Sequence, residues 1–287
     1  MTTLRTELSN YVRDWRDDLP PAWAHFFQSV EPDIDSVDPR LRSESAYPII
    51  PGRRSSPHPG APAEAHVFRA FDRTDPESVK VVVIGQDPYP LLSRATGRAF
   101  EDGLLGDWRG PVALSLQRLV QSALQVRSGR AEFVDPDRGW IEVKRGIASG
   151  SLTLESPSAF FDRLQFDHGV LFVNAAWTLT KYARGGCAEQ EAHLAFWAPV
   201  MYQLLNGMAE RDAGSVVYLV LGGFAKKIFA ASGVETSSKA AETWGVSVAK
   251  VENAHPSADA TPYFARPNPL GRVNDRLEEM GASLVRW

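Results

Sequence analysis

The chain has 287 residues, which allows one large domain or two small ones. With 44% hydrophobic residues and 10% aromatics it can bury a sizeable core, so wholesale disorder is excluded. Its 31 Lys and Arg against 35 Asp and Glu leave a net charge of −4, which excludes gripping nucleic acid by bulk charge; any DNA binding must come from a local site.

A single cysteine, Cys187, excludes an intramolecular disulfide and a multi-cysteine zinc site, and favours a reducing compartment. No apolar run reaches the ~18–20 residues of a membrane span. The opening MTTLRTELSNYVRDWRDDLP has acids and no apolar signal core, so a soluble cytoplasmic protein is expected.

In chain order, residues 1–45 read as helices, with Trp15, Leu19, Trp23, Phe26 and Phe27 near helical spacing and a break at Pro20-Pro21. Pro51 to Pro62 is a loop by its Pro, Gly and Ser content. Val81-Val82-Val83-Ile84 is a β-branched run of the kind found in strands buried on both faces. Ser115, Leu116, Leu119, Val120 and Leu124 then fit a helix face, and residues 128–166, rich in charge, Gly and Ser, read as a surface excursion or a small α insertion. Gly169 to Val173 is a second strand, and Leu194 to Met208 carries a second apolar helix face. Val216 to Leu221 is a third strand, Val246 to Val251 a weaker fourth, and Arg272 to Met280 a last helix ended by Gly281. Strands alternating with helices predict one domain over 1–287 with a three-layer α/β/α fold and a central four-stranded, largely parallel sheet.

The strand ends carry the chemistry. The first runs into Gly85-Gln86-Asp87-Pro88-Tyr89-Pro90, the second reaches Asn174, the third Gly222-Gly223, and the fourth stops before His255-Pro256-Ser257. Ligands of open α/β sheets bind outside the carboxyl ends of the strands, so an Asp, a Tyr, an Asn and a His distant in sequence should share one pocket. Singly each has a plainer reading. Asp87 before proline is a turn former, Asn174 a cap, His255 a structural histidine and Tyr89 core; Lys226-Lys227 is a solvated helix start.

Together, VKVVVIGQDPY, GVLFVN…LT and AHPS resemble the signature segments of the family-1 uracil-DNA glycosylases. Val67-Phe68-Arg69-Ala70-Phe71 and Gly97-Arg98-Ala99-Phe100 match the family further, and the likeness runs from about Tyr47 to the C-terminal tryptophan, interrupted by 128–166. The resemblance implies cleavage of the N-glycosidic bond of uracil in DNA after the nucleotide is extruded from the helix, with no metal or cofactor. It implies that Asp87 orients water and stabilises a cationic sugar, and that a neutral His255 donates to uracil O2. Asn174 would pair with uracil O4 and N3–H, Tyr89 would exclude the thymine methyl, Phe100 would stack on the ring, and Gln86 with Asp87 would offer backbone donors to O2. Ser115, Gly223, Ser257 and Arg266 are the residues expected to meet DNA.

The chain departs from the family pattern in its DNA-facing parts. Pro90 replaces a histidine of GQDPYHG; of the proline-rich loop only Ser115 survives; the third loop reads Gly223-Phe224-Ala225. After the histidine, Asp259 stands where an apolar leucine normally enters the duplex, with Tyr263, Phe264 and Arg266 downstream as substitutes. A carboxylate at Asp259 cannot stack and is repelled by phosphates, so a preference for single strands and poor binding of a DNA-mimic inhibitor that captures the leucine are expected. The leading reading is a monomeric, monofunctional uracil-DNA glycosylase. The alternatives are a weakly active or inactive member that binds uracil-containing or damaged DNA or a protein partner, and a nucleosidase for small substrates.

Overall fold

The computed structural model describes residues 2–212, 214–236, 243–257 and 260–287. The four apolar runs form strands β1 (Val81–Gly85), β2 (Val170–Asn174), β3 (Val216–Leu221) and β4 (Val248–Asn253). They pair in the order β2-β1-β3-β4, every pair parallel. In chain order the helices are α1 (Leu4–Tyr11), α2 (Pro21–Phe26), α3 (Leu114–Ser128), α4 (Gly139–Ser149), α5 (Pro157–Phe166), α6 (Ala188–Ala209), α7 (Gly222–Ala231), α8 (Ala260–Phe264) and α9 (Pro269–Glu279).

Both faces of the sheet are covered, which is why the strands read as unbroken apolar runs rather than alternating ones. Val82, Ile84, Leu171, Val173, Tyr218 and Val220 pack with α1, α2, α6 and α7; Val81, Val83, Phe172, Val217 and Leu219 pack with α3, α5 and α9. The result is a three-layer α/β/α arrangement. The chain leaves β1 for one neighbour, β2, and returns past it to the other, β3, so the connections part at the carboxyl end of β1. That is where a doubly wound sheet opens a crevice.

Two boundaries differ from the sequence expectation. β4 begins at Val248 because Val246 is 68% exposed in a turn closed by its N–H on the Thr243 carbonyl (2.9 Å). α9 begins at Pro269, earlier than Arg272, because the Asn268 side chain accepts from the N–H groups of Leu270 and Gly271 and proline fits the first helical turn. The segment 128–166 is helical in α4 and α5. Phe161 of α5 packs edge-on against Phe172 of β2, with ring centroids 4.9 Å apart, so α5 belongs to the layer on that face. Among the described residues no helix is long and apolar enough to cross a membrane.

The amino-terminal end of α6 is tied to the chain that follows β2. His193, fully buried, meets Thr178 Oγ1 through Nδ1 (2.8 Å) and Thr180 Oγ1 through Nε2 (3.2 Å), and Trp197 stacks on Trp177 at 4.9 Å. Burial pushes the His193 imidazole down to about 3, so it stays neutral in the fold while the unfolded chain protonates it near pH 6.5. Between those values the unfolded state binds more protons, so this group withdraws stability as pH falls below about 6.5, by at most about 1.4 kcal/mol per pH unit. Thermal midpoints measured from neutral pH downward should fall more steeply for the wild type than for His193→Gln, which does not titrate.

Candidate active site

The carboxyl ends of the strands open onto a cleft of about 750 Å³. The strand ladder extends past β1 and β2: Ala175 N–H donates to the Gly85 carbonyl (2.9 Å) and Ala176 N–H to that of Gln86 (3.0 Å). These bonds fix the turn that presents Asp87. Gly85 faces Asn174 in the register, and a Cβ there would lie 2.4 Å from Asn174 Oδ1 and 2.8 Å from Ala99 Cβ. Glycine is therefore demanded by close approach, not by a special φ. Asn174 itself is 4% exposed, yet among the described residues its amide has no hydrogen-bond partner, so its donor and acceptor face the cleft unpaired.

Phe100 reaches the cleft from a segment docked on the outer edge of β2, where Ala99 N–H donates to the Phe172 carbonyl (3.1 Å). Its φ of +68° is a left-handed conformation that a bulky side chain rarely adopts, at roughly 1–3 kcal/mol. Ion pairs of the buried Arg98 hold the turn: one with the buried Glu101 (3.2 Å), the other with the more exposed Asp162 of α5 (2.6 Å). Strain at Phe100 is thus sustained by the charges on either side of it.

His255 follows β4 and stands with its ring 6.4 Å from that of Phe100, inclined by 31°. Gly222, at φ +86°, admits it, since a Cβ there would meet His255 Cβ at 2.6 Å. The Ser257 N–H donates to His255 Nδ1 (3.0 Å) and the Ser257 hydroxyl lies 2.6 Å from the same atom. An Nδ1 that accepts from a backbone amide carries no proton, so the ring is the neutral tautomer with its hydrogen on Nε2. Burial holds its basicity below that of an ordinary histidine, which keeps it neutral. Arg118, buried in α3, donates to the Pro256 carbonyl at 2.6 Å and anchors this loop.

Asp87 is half-buried, and desolvation raises its carboxyl above the ordinary range against the opposing hydrogen bonds of Gln190 and Gln86. Tyr89 has its ring under the Arg94 guanidinium (4.4 Å) and a buried hydroxyl without a hydrogen bond of normal geometry, beside Ser115; burial, with the nearby Asp102 charge, pushes it up to about 12. The phenol is therefore neutral and the side chain acts as a wall.

Of the residues expected from sequence, Gln86, Asp87, Tyr89, Phe100, Ser115, Asn174, His255 and Ser257 line this one cleft. Gly223 and Arg266 do not: Gly223 is exposed in the first turn of α7, whose Phe224 and Lys227 line the cleft, and Arg266 is exposed beyond α8. Lys226 pairs with Glu252 (2.9 Å), so the two lysines are more than a solvated helix start. Ala258 and Asp259 lie outside the described residues. Tyr263 cannot replace the leucine. It is fully buried, its hydroxyl lies 3.3 Å from Ser122 Oγ, and its ring packs edge-on to Phe264, which joins the same core. Sequence reasoning missed Gln190, Arg118 and the segment 182–186, which closes the side of the cleft beside Gln190. Among the described residues no group of three or more His, Cys, Asp or Glu is placed to hold a metal ion.

Two substitutions separate strain from contact. Gly85→Ala should lower stability by about 1–3 kcal/mol, because Asn174 and Ala99 must both move. Phe100→Gly removes the ring and also the backbone strain, so its thermal midpoint should stay near that of the wild type. A large loss in the second and none in the first would contradict this geometry.

No family model matches the chain. It is 28% identical over 277 residues to the uracil-DNA glycosylase of Lacticaseibacillus casei, covering 96% of this chain and 93% of the relative. It is 26% identical over 231 residues to that of Lactococcus lactis subsp. cremoris (79% and 83%) and 24% over 280 residues to that of Deinococcus radiodurans (97% and 88%). Among solved structures, the UNG from Nitratifractor salsuginis aligns with a TM-score of 0.58 at 19% identity, covering 99% of this chain and 100% of that one. Mimivirus uracil-DNA glycosylase aligns with a TM-score of 0.58 at 18% identity, covering 100% and 94%. Similarity at this level along nearly the whole chain, joined to the shared fold, fits a divergent member of the uracil-DNA glycosylase superfamily.

Proposed function

We propose that the protein hydrolyses the N-glycosidic bond of uracil in DNA and leaves an abasic site, the first step of base excision repair. The observation that carries this is the set of groups on one cleft: a half-buried carboxylate, a neutral imidazole whose hydrogen is on Nε2, and an unpaired buried amide. Each meets a different need of the reaction. The amide of Asn174 offers a donor to uracil O4 and an acceptor to N3–H, a pattern that cytosine reverses. As the C1′–N1 bond breaks, negative charge grows on the base, and the Nε2–H of His255 is the donor for O2. The sugar becomes cationic, and the Asp87 carboxylate stabilises it and orients the water whose oxygen joins C1′. Tyr89 walls the space beside C5, where thymine carries its methyl, and Phe100 offers a ring face to the base.

The nucleotide must be turned out of the helix to reach this cleft, at a few kcal/mol for a stacked base. With Asp259 in the place of the leucine wedge, and Tyr263 committed to the core, that expense is not recovered by an inserted side chain, so we propose a preference for single-stranded DNA. The same substitution removes the group that a leucine-capturing DNA-mimic inhibitor would hold. Ser115 and Ser257 line the cleft as candidate DNA contacts, with Gly223 and Arg266 exposed outside it. Lys227, the cleft-lining lysine, is exposed rather than buried beside Asp87, in keeping with hydrolysis by water and no strand scission. The chain itself supplies the carboxylate, the amide and the imidazole of the cleft, and we propose that it acts as a monomer in the cytoplasm.

The test is excision from a labelled oligonucleotide containing one deoxyuridine, single-stranded and duplexed. Abasic product is expected from both, more from the single strand, with Asp87→Asn lowering the rate roughly 10²–10⁴-fold. Because burial raises the Asp87 carboxyl, the rate should fall with decreasing pH at a limb above that of an ordinary aspartate; because His255 is held neutral, no limb should lie at or above pH ~6.5. No product on either substrate, with binding retained, would replace the glycosylase by a DNA-binding member of the superfamily.

A further inference from the structure

Asp87 leaves β1 on a loop with prolines on both sides of Tyr89, and neither Pro88 nor Pro90 has an N–H to offer a carboxylate. Besides the adjacent Gln86, its partner comes from another element. Gln190, in the first turn of α6 and 5% exposed, donates from Nε2 to Asp87 Oδ2 at 3.2 Å across 103 positions of sequence. The orientation of the Gln190 amide is forced, because its Oε1 accepts from the Ala183 N–H (2.8 Å) and from the Cys187 thiol (3.4 Å). Turned over, the amide would set its oxygen against the carboxylate and its NH2 against the Ala183 N–H, which would lose its acceptor. One helical turn on, His193 pins α6 to Thr178 and Thr180, so the donor is carried on a fixed support.

We propose that Gln190 is a positioning residue for glycosidic hydrolysis, holding the Asp87 carboxylate in one rotamer toward the cleft where Pro90 has removed the loop's histidine. This rests on Asp87 as the water-orienting group. A carboxylate with free rotation about its side-chain bonds spends part of its time away from the attacking water, whereas one tied at Oδ2 presents its other oxygen in a single direction. The bond also favours the ionised form, the form the reaction uses. The other charged or titratable groups on the cleft are Tyr89 on the same loop, Arg98 beside Phe100, Tyr182 and Arg184 in the segment before α6, Glu191 in α6, Lys227 in α7 and His255 after β4. Among the described residues none of these makes a hydrogen bond or ion pair to Asp87.

The test uses the full chain with Gln190→Ala and the near-isosteric Gln190→Glu. On single-stranded deoxyuridine oligonucleotide, Gln190→Ala should lower kcat roughly 10- to 100-fold with KM altered less than about threefold. The acid limb of its kcat profile should move to higher pH, since the carboxylate has lost a donor. Gln190→Glu should move it further, as two carboxylates in contact cannot both ionise readily. Thermal midpoints of both variants guard against a folding defect. The Asp87 carboxyl titration, followed by carbon-13 NMR, reads the same coupling without turnover and should shift upward in both. An unchanged titration in both variants overturns the proposal whatever kcat does. A wild type that excises no uracil overturns the proposed function instead, and the titration still decides whether Gln190 governs Asp87.

Discussion

The absence of a side chain at Gly85 is the constraint on which the site depends. It lets the last pair of the β1–β2 ladder close to the distance at which Asn174 sits directly over the Gly85 backbone, with Ala99 on the same spot. The ladder then runs two bonds beyond the strands and stiffens the turn at Gln86-Asp87. Asn174 and Asp87 are therefore positioned by backbone hydrogen bonds of a buried sheet rather than by a mobile loop, and the edge of β2 receives the segment that carries Phe100. A second glycine, Gly222, does for His255 what Gly85 does for Asn174. Three groups from three strand ends meet because two side chains are missing.

The electrostatics of the cleft follow from the same closeness. Burial works in opposite directions on Asp87 and His255, raising the first and lowering the second, and the hydrogen bonds around them then set which form is held. Gln190 and Gln86 favour the carboxylate; the Ser257 N–H keeps the imidazole neutral. A carboxylate and a neutral donor on one cleft make a site suited to charge separation, with the cation developing beside Asp87 and the anion beside His255. A chain with a net charge of −4 can carry such a site because recognition is concentrated in it.

The sheet was legible because strands buried on both faces leave continuous β-branched runs, and the Asp, Asn and His were legible because they end those runs. Where burial fails, so does the pattern: Val246 looks like strand and is an exposed turn. Proximity to the histidine loop alone points Tyr263 toward DNA, but an aromatic in a short helix after the loop is equally suited to the core, where it packs with residues of α3 and α9. Arg118 and Gln190 left no signal, since a buried Arg on a carbonyl and a buried Gln on a carboxylate look in sequence like ordinary polar positions of a helix. Nor does anything in Gly97-Arg98-Ala99-Phe100 announce a left-handed phenylalanine; that conformation is imposed by the ion pairs of Arg98 and by the β2 edge.

The most direct measurement is a crystal structure of the protein soaked with uracil, the released base. The base should lie in the cleft against Phe100, with O4 and N3–H on the Asn174 amide and O2 toward His255 Nε2, the edge beside C5 against Tyr89. Uracil bound elsewhere, or in the cleft with its O4 and N3 edge turned away from Asn174, would contradict the assignment of this cleft as the site of uracil excision.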